Sequence, residues 1–328
     1  MATDIKVHTV WRQVDDALRE RVLAFWQTND IASGTDIEAR VQNLAAIMEA
    51  DGQIIGTAIA PIFHWPQTHT NFFLFRCFVS PPHRRTGIAT ALFNAVYAHL
   101  HGWADDNRAT PVEGLLFFAD VAELQHKNSQ RMWAQSGLSH AGYRENGTPV
   151  YARWFLRPAP TNLPSPEIEI RNIWQNVSHQ DGDAIADMWR RFNALPQGED
   201  PQQRLKHAAC AAFLGDRAVG VLTVGQDYLP LVKAKVLLIR VFVADEQRSQ
   251  KLPRALSTQA RPILHEWIRN NPQTGLEGIA STIQAPAWQN RPDLVRPTDN
   301  TELTRIGFTP KGYPLRLAWS YPDNMPNA

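Results

Sequence analysis

The sequence predicts a mixed α/β fold that occurs twice along the chain. Strand-like and helix-like segments alternate, and Asp51-Gly52 is a strong hairpin signal between two strand-like runs. The strand-like run Phe72 to Val79 is followed by a short basic loop. Helical spacing of apolar residues follows from Thr90 to Leu100. A similar order of segments returns in the second half, and a chain of 328 residues is long enough for about two domains.

The first half predicts a sheet with flanking helices. Asp4 to Val10 is strand-like, and Asp15 to Trp26 has the apolar spacing of a helix. The other predicted elements are a helix opened by the capping box Thr35-x-x-Glu38, strands at Ala45 to Ala50 and Ile54 to Phe63, a buried strand at Gly114 to Asp120, a helix at His126 to Gln135 that stops at Gly137, and strands near Tyr143 and at Val150 to Phe155.

The basic loop after Val79 has the residue types that hold a phosphate group. Backbone N–H groups from Arg85 to Ala89 come before any helical acceptor, and the dipole of the following helix adds positive potential. Gly87 lacks a side chain that would block close approach, and Arg84 offers charge-assisted hydrogen bonds. The loop is therefore a candidate phosphate site.

The pattern Arg84-x-x-Gly87-x-Ala89, after Val79-x-Pro81 and before Ala91-Leu92, resembles the acetyl-CoA pyrophosphate loop of the GNAT N-acetyltransferases. The resemblance implies a mixed, mostly antiparallel sheet flanked by helices in each half, with acetyl-CoA as the acyl donor. It also implies that either Phe78 or Val79 supplies the backbone N–H that polarises the thioester carbonyl. The residues expected to contact acetyl-CoA in this region are Phe78, Val79, Arg84, Arg85, Thr86, Gly87, Ile88, Ala89 and Thr90.

The last helix of the family commonly carries an asparagine and a tyrosine, and the tyrosine protonates the leaving thiolate. Counting back from Gly137 places Trp133 at the tyrosine position and His126 at the asparagine position, with Asn128 two residues on. An indole cannot act as a general acid. We expect Trp133 to pack against the pantetheine, with a plain core role as the alternative, and Asn128 to contact acetyl-CoA if the helix is shifted. Another group then protonates the thiolate, or it leaves beside water, or turnover is slow.

The general base has two candidates. An alkylamine with a pKa of about 10.4 is almost wholly protonated at neutral pH, so its attack needs a base. Asp120 follows the strand at which the family's sheet splays, and is either that base or the N-cap of the next turn. His126 could act as a base or contact acetyl-CoA, with a solvated or capping role as the alternative.

Other reactive side chains have structural explanations. Arg76 and Arg240 lie in apolar runs, which predicts buried ion pairs, although Arg76 could instead bind a substrate carboxylate. His64 is expected at the end of the sheet where an acceptor enters. Nothing near Cys77 in the sequence would lower its pKa, so a nucleophilic role is disfavoured. The chain contains no Cys/His cluster with metal-ligand spacing, so we expect no metal.

The two halves match residue by residue at a constant offset of 164 positions. The matches include Gly56 with Gly220, Arg76 with Arg240, Phe78-Val79 with Phe242-Val243, Arg84 with Arg248, Ala91-Leu92 with Ala255-Leu256, Trp103 with Trp267 and Glu113-Gly114 with Glu277-Gly278. Near the start the offset is 163, and near the end we predict 170, which pairs Gly137 with Gly307. The predicted domains are residues 1–156 and 167–328, joined by a proline-rich linker at 157–166.

The second copy of the loop departs from the pattern. Lys251 stands where the first copy has Gly87, and Pro253 removes an N–H where the first copy has Ala89. We therefore expect an active first domain and a degenerate second domain. The second domain would cover the active cleft, shape the acceptor site and take the place of a partner subunit, giving a monomer with an internal pseudo-dimer or a weak homodimer.

Composition narrows the class of partner. The net charge of +1 gives no reason to expect nucleic acid or an anionic membrane as a partner. Two cysteines in apolar runs, no signal-peptide pattern and no membrane-length apolar run indicate a cytoplasmic protein. The expected function is an N-acetyltransferase that moves acetyl from acetyl-CoA to a primary amine of a small molecule or peptide. The alternatives are a CoA-binding pseudoenzyme with a regulatory role and an acyltransferase that uses a longer acyl-CoA.

Overall fold

A computed structural model of the chain describes residues 4–31, 37–120, 130–158, 167–248, 251–289, 296–298 and 302–320. These residues divide into two compact units, with the boundary between Phe155 and Leu156. Each unit is a mixed α/β structure in which most neighbouring strands are antiparallel, which confirms the predicted fold class. No helix in the described part of the chain is both long and apolar enough to span a membrane.

The first unit contains two sheets. In chain order its elements are β1 (Ile5–Thr9), α1 (Asp16–Thr28), α2 (Ile37–Gln42), β2 (Leu44–Ala50), β3 (Gln53–Ile59), β4 (Ile62–Trp65), β5 (Thr70–Leu74), β6 (Arg76–Val79), α3 (Ile88–Asp106), β7 (Gly114–Phe118), β8 (Met132–Trp133), β9 (Leu138–Tyr143) and β10 (Pro149–Trp154). One sheet has the order β1-β2-β3-β6, and the other has the order β4-β5-β7-β10-β9-β8.

The predicted hairpin between β2 and β3 is confirmed. Its two turn residues, Asp51 and Gly52, both have positive φ, at 48° and 80°. Two predicted long strands are each interrupted once. The strand predicted at Ile54 to Phe63 divides into β3 and β4, and the one predicted at Phe72 to Val79 divides into β5 and β6. Pro61 lies at the first interruption and has no N–H to donate to a strand ladder, although its carbonyl accepts the Leu74 N–H at 2.8 Å.

The two sheets part where β5 gives way to β6. Strand β5 pairs in parallel with β7 at Phe73 with Leu115 and at Leu74 with Leu116. The Phe75 N–H then donates to the Leu116 carbonyl at 2.8 Å. Beyond this point β6 pairs with β3, while β7 pairs with β10. The gap between β6 and the end of β7 is called the splay below.

Helix α3 packs on one face of these sheets. Its buried residues include Leu92, Val96 and Leu100, which belong to a core cluster with Phe73 and Leu115. The helix starts two residues before the predicted Thr90. The opposite face is covered by α1, whose Phe25 packs edge-on against Phe78 at 5.8 Å between ring centroids. The two faces of β6 therefore look towards different helices.

A helix was predicted at His126 to Gln135. Residues 121–129 lie outside the described ranges, and in the described residues from 130 onwards the predicted helix is wrong. Met132–Trp133 form strand β8 instead, and pair with the start of β9. Gly137 has φ 63° and lies in the turn between these two strands, so it does not end a helix. Trp133 packs against Phe117 and Tyr151, at 5.2 and 4.7 Å between ring centroids. Those long-range ring contacts favour the strand.

The second unit is built on one seven-stranded sheet of order β11-β12-β13-β14-β15-β17-β16. Its elements are β11 (Ile168–Asn172), α4 (His179–Arg191), α5 (Pro201–Leu205), β12 (Ala208–Leu214), β13 (Arg217–Leu229), β14 (Ala234–Val243), α6 (Lys251–Asn270), β15 (Leu276–Thr282), α7 (Pro286–Gln289), β16 (Thr304–Phe308) and β17 (Pro314–Trp319). Strands β14 and β15 are its parallel pair.

Individual contacts of the first unit recur in the second unit, 164 positions later. The Ser80 N–H donates to the Ile55 carbonyl and the Ala244 N–H to the Val219 carbonyl, both at 2.9 Å. Further recurring contacts are Arg84 Nε to the Val79 carbonyl with Arg248 Nε to the Val243 carbonyl, Asn107 Nδ2 to the Trp103 carbonyl with Asn271 Nδ2 to the Trp267 carbonyl, and the Thr110 N–H to the Asn107 carbonyl with the Thr274 N–H to the Asn271 carbonyl.

Towards the end of each unit the structural offset is 165, and the predicted value of 170 is wrong. Gly142 and Gly307 have φ 149° and 155° and lie at matching irregularities of the last strand pairs. Gly147 and Gly312 have φ 82° and 79° in the matching turns. Gly137 therefore does not correspond to Gly307. The sequence match at 170 was a coincidence of glycine spacing.

Candidate active site

Helix α3 begins without a side-chain cap. Its N-cap residue is Gly87, with φ 86° and ψ −4°, and no side chain accepts a hydrogen bond from its first turn. By contrast, Asp15, Ser178 and Asp200 cap the helices α1, α4 and α5. The first N–H groups of a helix have no intrahelical acceptor, so those from Ile88 to Thr90 can donate to an anion.

The loop before α3 is held by its own hydrogen bonds. The Arg84 Nε donates to the Val79 carbonyl at 3.1 Å, and its guanidinium carbon lies 5.5 Å from the centroid of the Phe78 ring. The Thr86 hydroxyl donates to the His83 carbonyl at 2.6 Å. The hydroxyl of Ser80 contacts His83 Nδ1 at 2.8 Å. The positions of the arginine and of the bare helix end are therefore set by the loop itself.

Two residues of this loop have left-handed backbone conformations. Arg85 has φ 65° and Gly87 has φ 86°, and both are exposed. A Cβ at Gly87 would meet no atom within 4 Å. Glycine is therefore favoured there by the backbone angle and by access to the N–H groups, and not by crowding within the protein. A non-glycine residue with positive φ is uncommon, and such residues cluster at functional sites.

Strand β6 presents an open edge to the splay. The N–H groups of Leu74 and Ser80 bond towards the β3 side, to the carbonyls of Pro61 and Ile55. Because N–H direction alternates along a strand, the Phe78 N–H also points towards β3. Val79 therefore directs its N–H into the splay. Of the two residues considered for polarising a thioester carbonyl, this geometry favours Val79.

Asp120 lies on the far side of the splay. The Ala119 N–H donates to the Pro149 carbonyl at 3.0 Å, so this chain segment is held beside β10 up to the residue before Asp120. The Asp120 side chain is exposed and forms no hydrogen bond or ion pair with a described residue. Its roles as base or as N-cap both stay predictions. His126 and Asn128 lie outside the described residues.

Trp133 is half-buried, and its packing against the pantetheine of acetyl-CoA stays a prediction. It packs with Phe117 on the same side of the sheet as α3. Sequence reasoning missed its neighbour Tyr151, which is fully buried and donates its hydroxyl to the Gln130 carbonyl at 2.8 Å. Burial raises the pKa of Tyr151 to about 12, which makes it a weak proton donor. Its position in an apolar strand gave no sign of this contact.

Two expectations about single residues change. Arg76 and Arg240 are exposed, because each lies on the face of its strand that no helix covers at that position, so the predicted buried ion pairs are wrong. His64 contacts Asn71 at 3.1 Å, at the start of β5 and away from the splay, so its predicted position is also wrong. Burial raises the pKa of the Cys77 thiol to about 12, which opposes a nucleophilic role.

The corresponding region of the second unit differs. Helix α6 begins at Lys251 and contains Pro253 in its first turn, where proline has no N–H to offer. Residues 249–250 lie outside the described ranges.

Both cysteines, Cys77 and Cys210, are free thiols. No group of three or more His, Cys, Asp or Glu side chains in the described ranges is arranged to hold a metal ion.

Comparison with known proteins finds one family. Residues 11–112, which include β6, the loop and α3, match the model of the acetyltransferase (GNAT) family. A search of curated protein sequences finds no match. Many solved structures are similar to part of the chain.

N-acetylglutamate synthase from Neisseria gonorrhoeae, complexed with coenzyme A and L-arginine, is 16% identical over 47% of this chain and 34% of that chain, with a TM-score of 0.31. The ribosomal-protein-S18-alanine N-acetyltransferase from Escherichia coli is 13% identical over 49% of this chain and 99% of that chain, with a TM-score of 0.31. A GNAT-family acetyltransferase from Bacillus cereus ATCC 10987 is 15% identical over 47% and 99%, with a TM-score of 0.34. The present chain thus spans about a third of the Neisseria enzyme. The family match thus identifies residues 11–112 as an acetyltransferase (GNAT) domain.

Proposed function

We propose that this protein is an N-acetyltransferase that moves an acetyl group from acetyl-CoA to a primary amine of a small molecule or peptide. The observation that carries the proposal is the uncapped N-terminus of α3, which lies directly after the open strand edge of β6. One feature suits a pyrophosphate, and the other suits an extended chain with amide groups. The family match covers both.

The residues of the first unit would divide the work as follows. The N–H groups from Gly87 to Thr90 would hold the pyrophosphate, and Arg84 and Arg85 would add positive charge. The Val79 N–H would donate to the thioester oxygen as negative charge develops on it. Asp120, across the splay, would accept the proton that the amine must lose before it attacks.

We propose that the second unit is a degenerate copy of the first. The hydrogen bonds that recur 164 positions later support a duplicated domain, and the start of α6 at Lys251 with Pro253 supports loss of the phosphate site. Its role would be to shape the acceptor site in place of a partner subunit. The protein would then act as a monomer or a weak homodimer.

A CoA-binding regulatory protein is the second candidate. It is favoured by the region after Asp120, where the expected helix is replaced by β8 in the described residues. Trp133 has no acidic proton, and the neighbouring Tyr151 is buried with a raised pKa. A protein with a CoA site and no efficient general acid could bind the molecule without rapid turnover.

Thermal shift followed by a thiol-release assay separates the two candidates. Acetyl-CoA should raise the melting temperature by mass action if the loop binds it. Release of CoA thiol with one class of amine supports the acetyltransferase. Stabilisation without release from any amine in a broad panel supports the regulatory protein. An unchanged melting temperature with acetyl-CoA and with CoA would contradict both.

A further inference from the structure

Arg76 lies where the two sheets of the first unit separate. It is the first residue of β6, directly after Phe75 makes the last hydrogen bond to β7. Its side chain is exposed, and it forms no hydrogen bond, ion pair or ring contact with any described residue. An arginine on a paired strand has a fixed backbone origin, so its guanidinium searches a limited volume beside the splay.

The strand register places Arg76 opposite the end of β7. Leu74 and Leu116 are partners in the parallel pair, so two residues further on Arg76 and Phe118 lie at the same level and on the same face. Two residues further along each strand, Phe78 and Asp120 also lie at the same level and on the same face. A cation on one side of the splay is thus offset by one step from a carboxylate on the other.

The wall beside Asp120 is an aromatic ring that carries a second cation. The Phe118 ring is mostly buried and packs edge-on against Phe63, with 5.8 Å between ring centroids. The guanidinium carbon of Arg144 lies 4.9 Å from the Phe118 ring centroid. The Arg144 guanidinium adds positive charge beside this ring, which also favours a negatively charged group there.

Resting on the proposed function, we infer that Arg76 binds a carboxylate of the acceptor, and that the acceptor is a small amine that also carries a carboxylate group. The guanidinium would hold the carboxylate through two parallel hydrogen bonds. Asp120 would lie towards the amine, where it can take up the proton. Arg76 is a binding residue in this account, and it takes no part in the transfer step.

The second unit provides a matched control. Arg240 is the exposed arginine of β14 and corresponds to Arg76. The register of β14 with β15 places Thr282 opposite it, and Gln284 follows where the first unit has Asp120. The second unit therefore presents the same cation without the aromatic wall or the carboxylate. Substitution of Arg240 should change surface charge equally and leave acceptor use unchanged.

The test measures kcat and KM for pairs of acceptors, each an amino acid and its carboxamide. Amidation also alters the pKa of the amine, so the informative quantity is the change in the acid-to-amide ratio of kcat/KM between variants. Arg76→Gln should lower that ratio about 10- to 100-fold, mainly through KM, as expected for loss of a charge-assisted bidentate contact. Arg240→Gln should leave the ratio unchanged, and Arg76→Lys should restore part of it.

Calorimetry of acetyl-CoA with each variant shows which claim fails. Normal acetyl-CoA binding with an unchanged ratio in Arg76→Gln overturns the role of Arg76 and leaves the acetyltransferase proposal intact. The role of Arg76 is also overturned if the best acceptors lack a carboxylate, and the acetyltransferase proposal again stays intact. Absence of thiol release from every amine overturns the proposed function and this inference with it.

Discussion

At the scale of single residues, the candidate site depends on where backbone N–H groups are left without a partner. Gly87 leaves the first turn of α3 uncapped, and Val79 directs its N–H away from β3. The glycine could be predicted from sequence because its loop pattern is local. The choice of Val79 over Phe78 could not, because it depends on which strand lies on each side of β6.

Asp120→Asn tests the proposed base. The amide keeps the size of the side chain and loses its basicity, so kcat/KM for the amine should fall about 100-fold. The affinity for acetyl-CoA should stay the same, because Asp120 lies on the other side of the splay from the loop. Steady-state kinetics as a function of pH, with acetyl-CoA titrated separately, makes the measurement. Unchanged kinetics would assign Asp120 to the capping role.

Buried His140 should make the first unit sensitive to acid. It is 1% exposed, and burial together with the nearby Arg131 lowers its pKa to about 3 from 6.5. The unfolded chain therefore binds a proton more readily than the folded chain between these two values. Stability contributed by neutral His140 is fully present above about pH 6.5 and is lost as the pH falls towards 3.

Urea unfolding at several pH values measures this effect. Below about pH 6 the wild-type free energy of unfolding should fall with a slope of up to about 1.4 kcal/mol per pH unit from this histidine. His140→Phe should reduce the slope. An identical slope in His140→Phe would show that His140 is not the group responsible.

At the scale of elements, local signals predicted what the chain forms with its near neighbours. The hairpin at Asp51-Gly52 and the strand, loop and helix from Phe72 to Leu100 could be predicted for this reason. Strand β8 could not, because Trp133 packs on rings from Phe117 and Tyr151 that are remote in sequence. The relation of Arg76 to Asp120 was also hidden, since it follows from a parallel register between β5 and β7.

Gly114 tests the packing of the central strands. A Cβ there would lie 2.7 Å from the Trp154 Cα, on the backbone of β10, which cannot move aside cheaply. Gly114→Ala should therefore lower the free energy of unfolding by about 2 to 3 kcal/mol. Thermal and urea unfolding measure the change.

Gly102→Ala is the matched control for this substitution. Gly102 lies in α3 and its added Cβ would meet no atom within 4 Å, so alanine should stabilise the helix by up to about 1 kcal/mol. Equal stability of Gly114→Ala and the wild type would mean that β7 and β10 are further apart than described.

At the scale of the whole molecule, the chain carries two units with corresponding strands and unequal loops. The sequence predicted the duplication from matched residues, and the recurring hydrogen bonds support it. It misplaced the end of the repeat because glycines at several spacings matched equally well, and only the φ angles of Gly142 and Gly307 separate them. We propose that only the first unit retains a working loop for acetyl-CoA.

Isothermal titration of acetyl-CoA into three proteins tests that claim most directly. The wild type and Lys251→Gly should bind one acetyl-CoA per chain with similar affinity. Gly87→Lys should show no binding, because lysine disfavours a φ of 86° and obstructs the approach to the helix N-terminus. Circular dichroism and Gly87→Asn, which tolerates left-handed φ, check that the fold is kept. Unchanged affinity in Gly87→Lys, or lost binding in Lys251→Gly, would contradict the account.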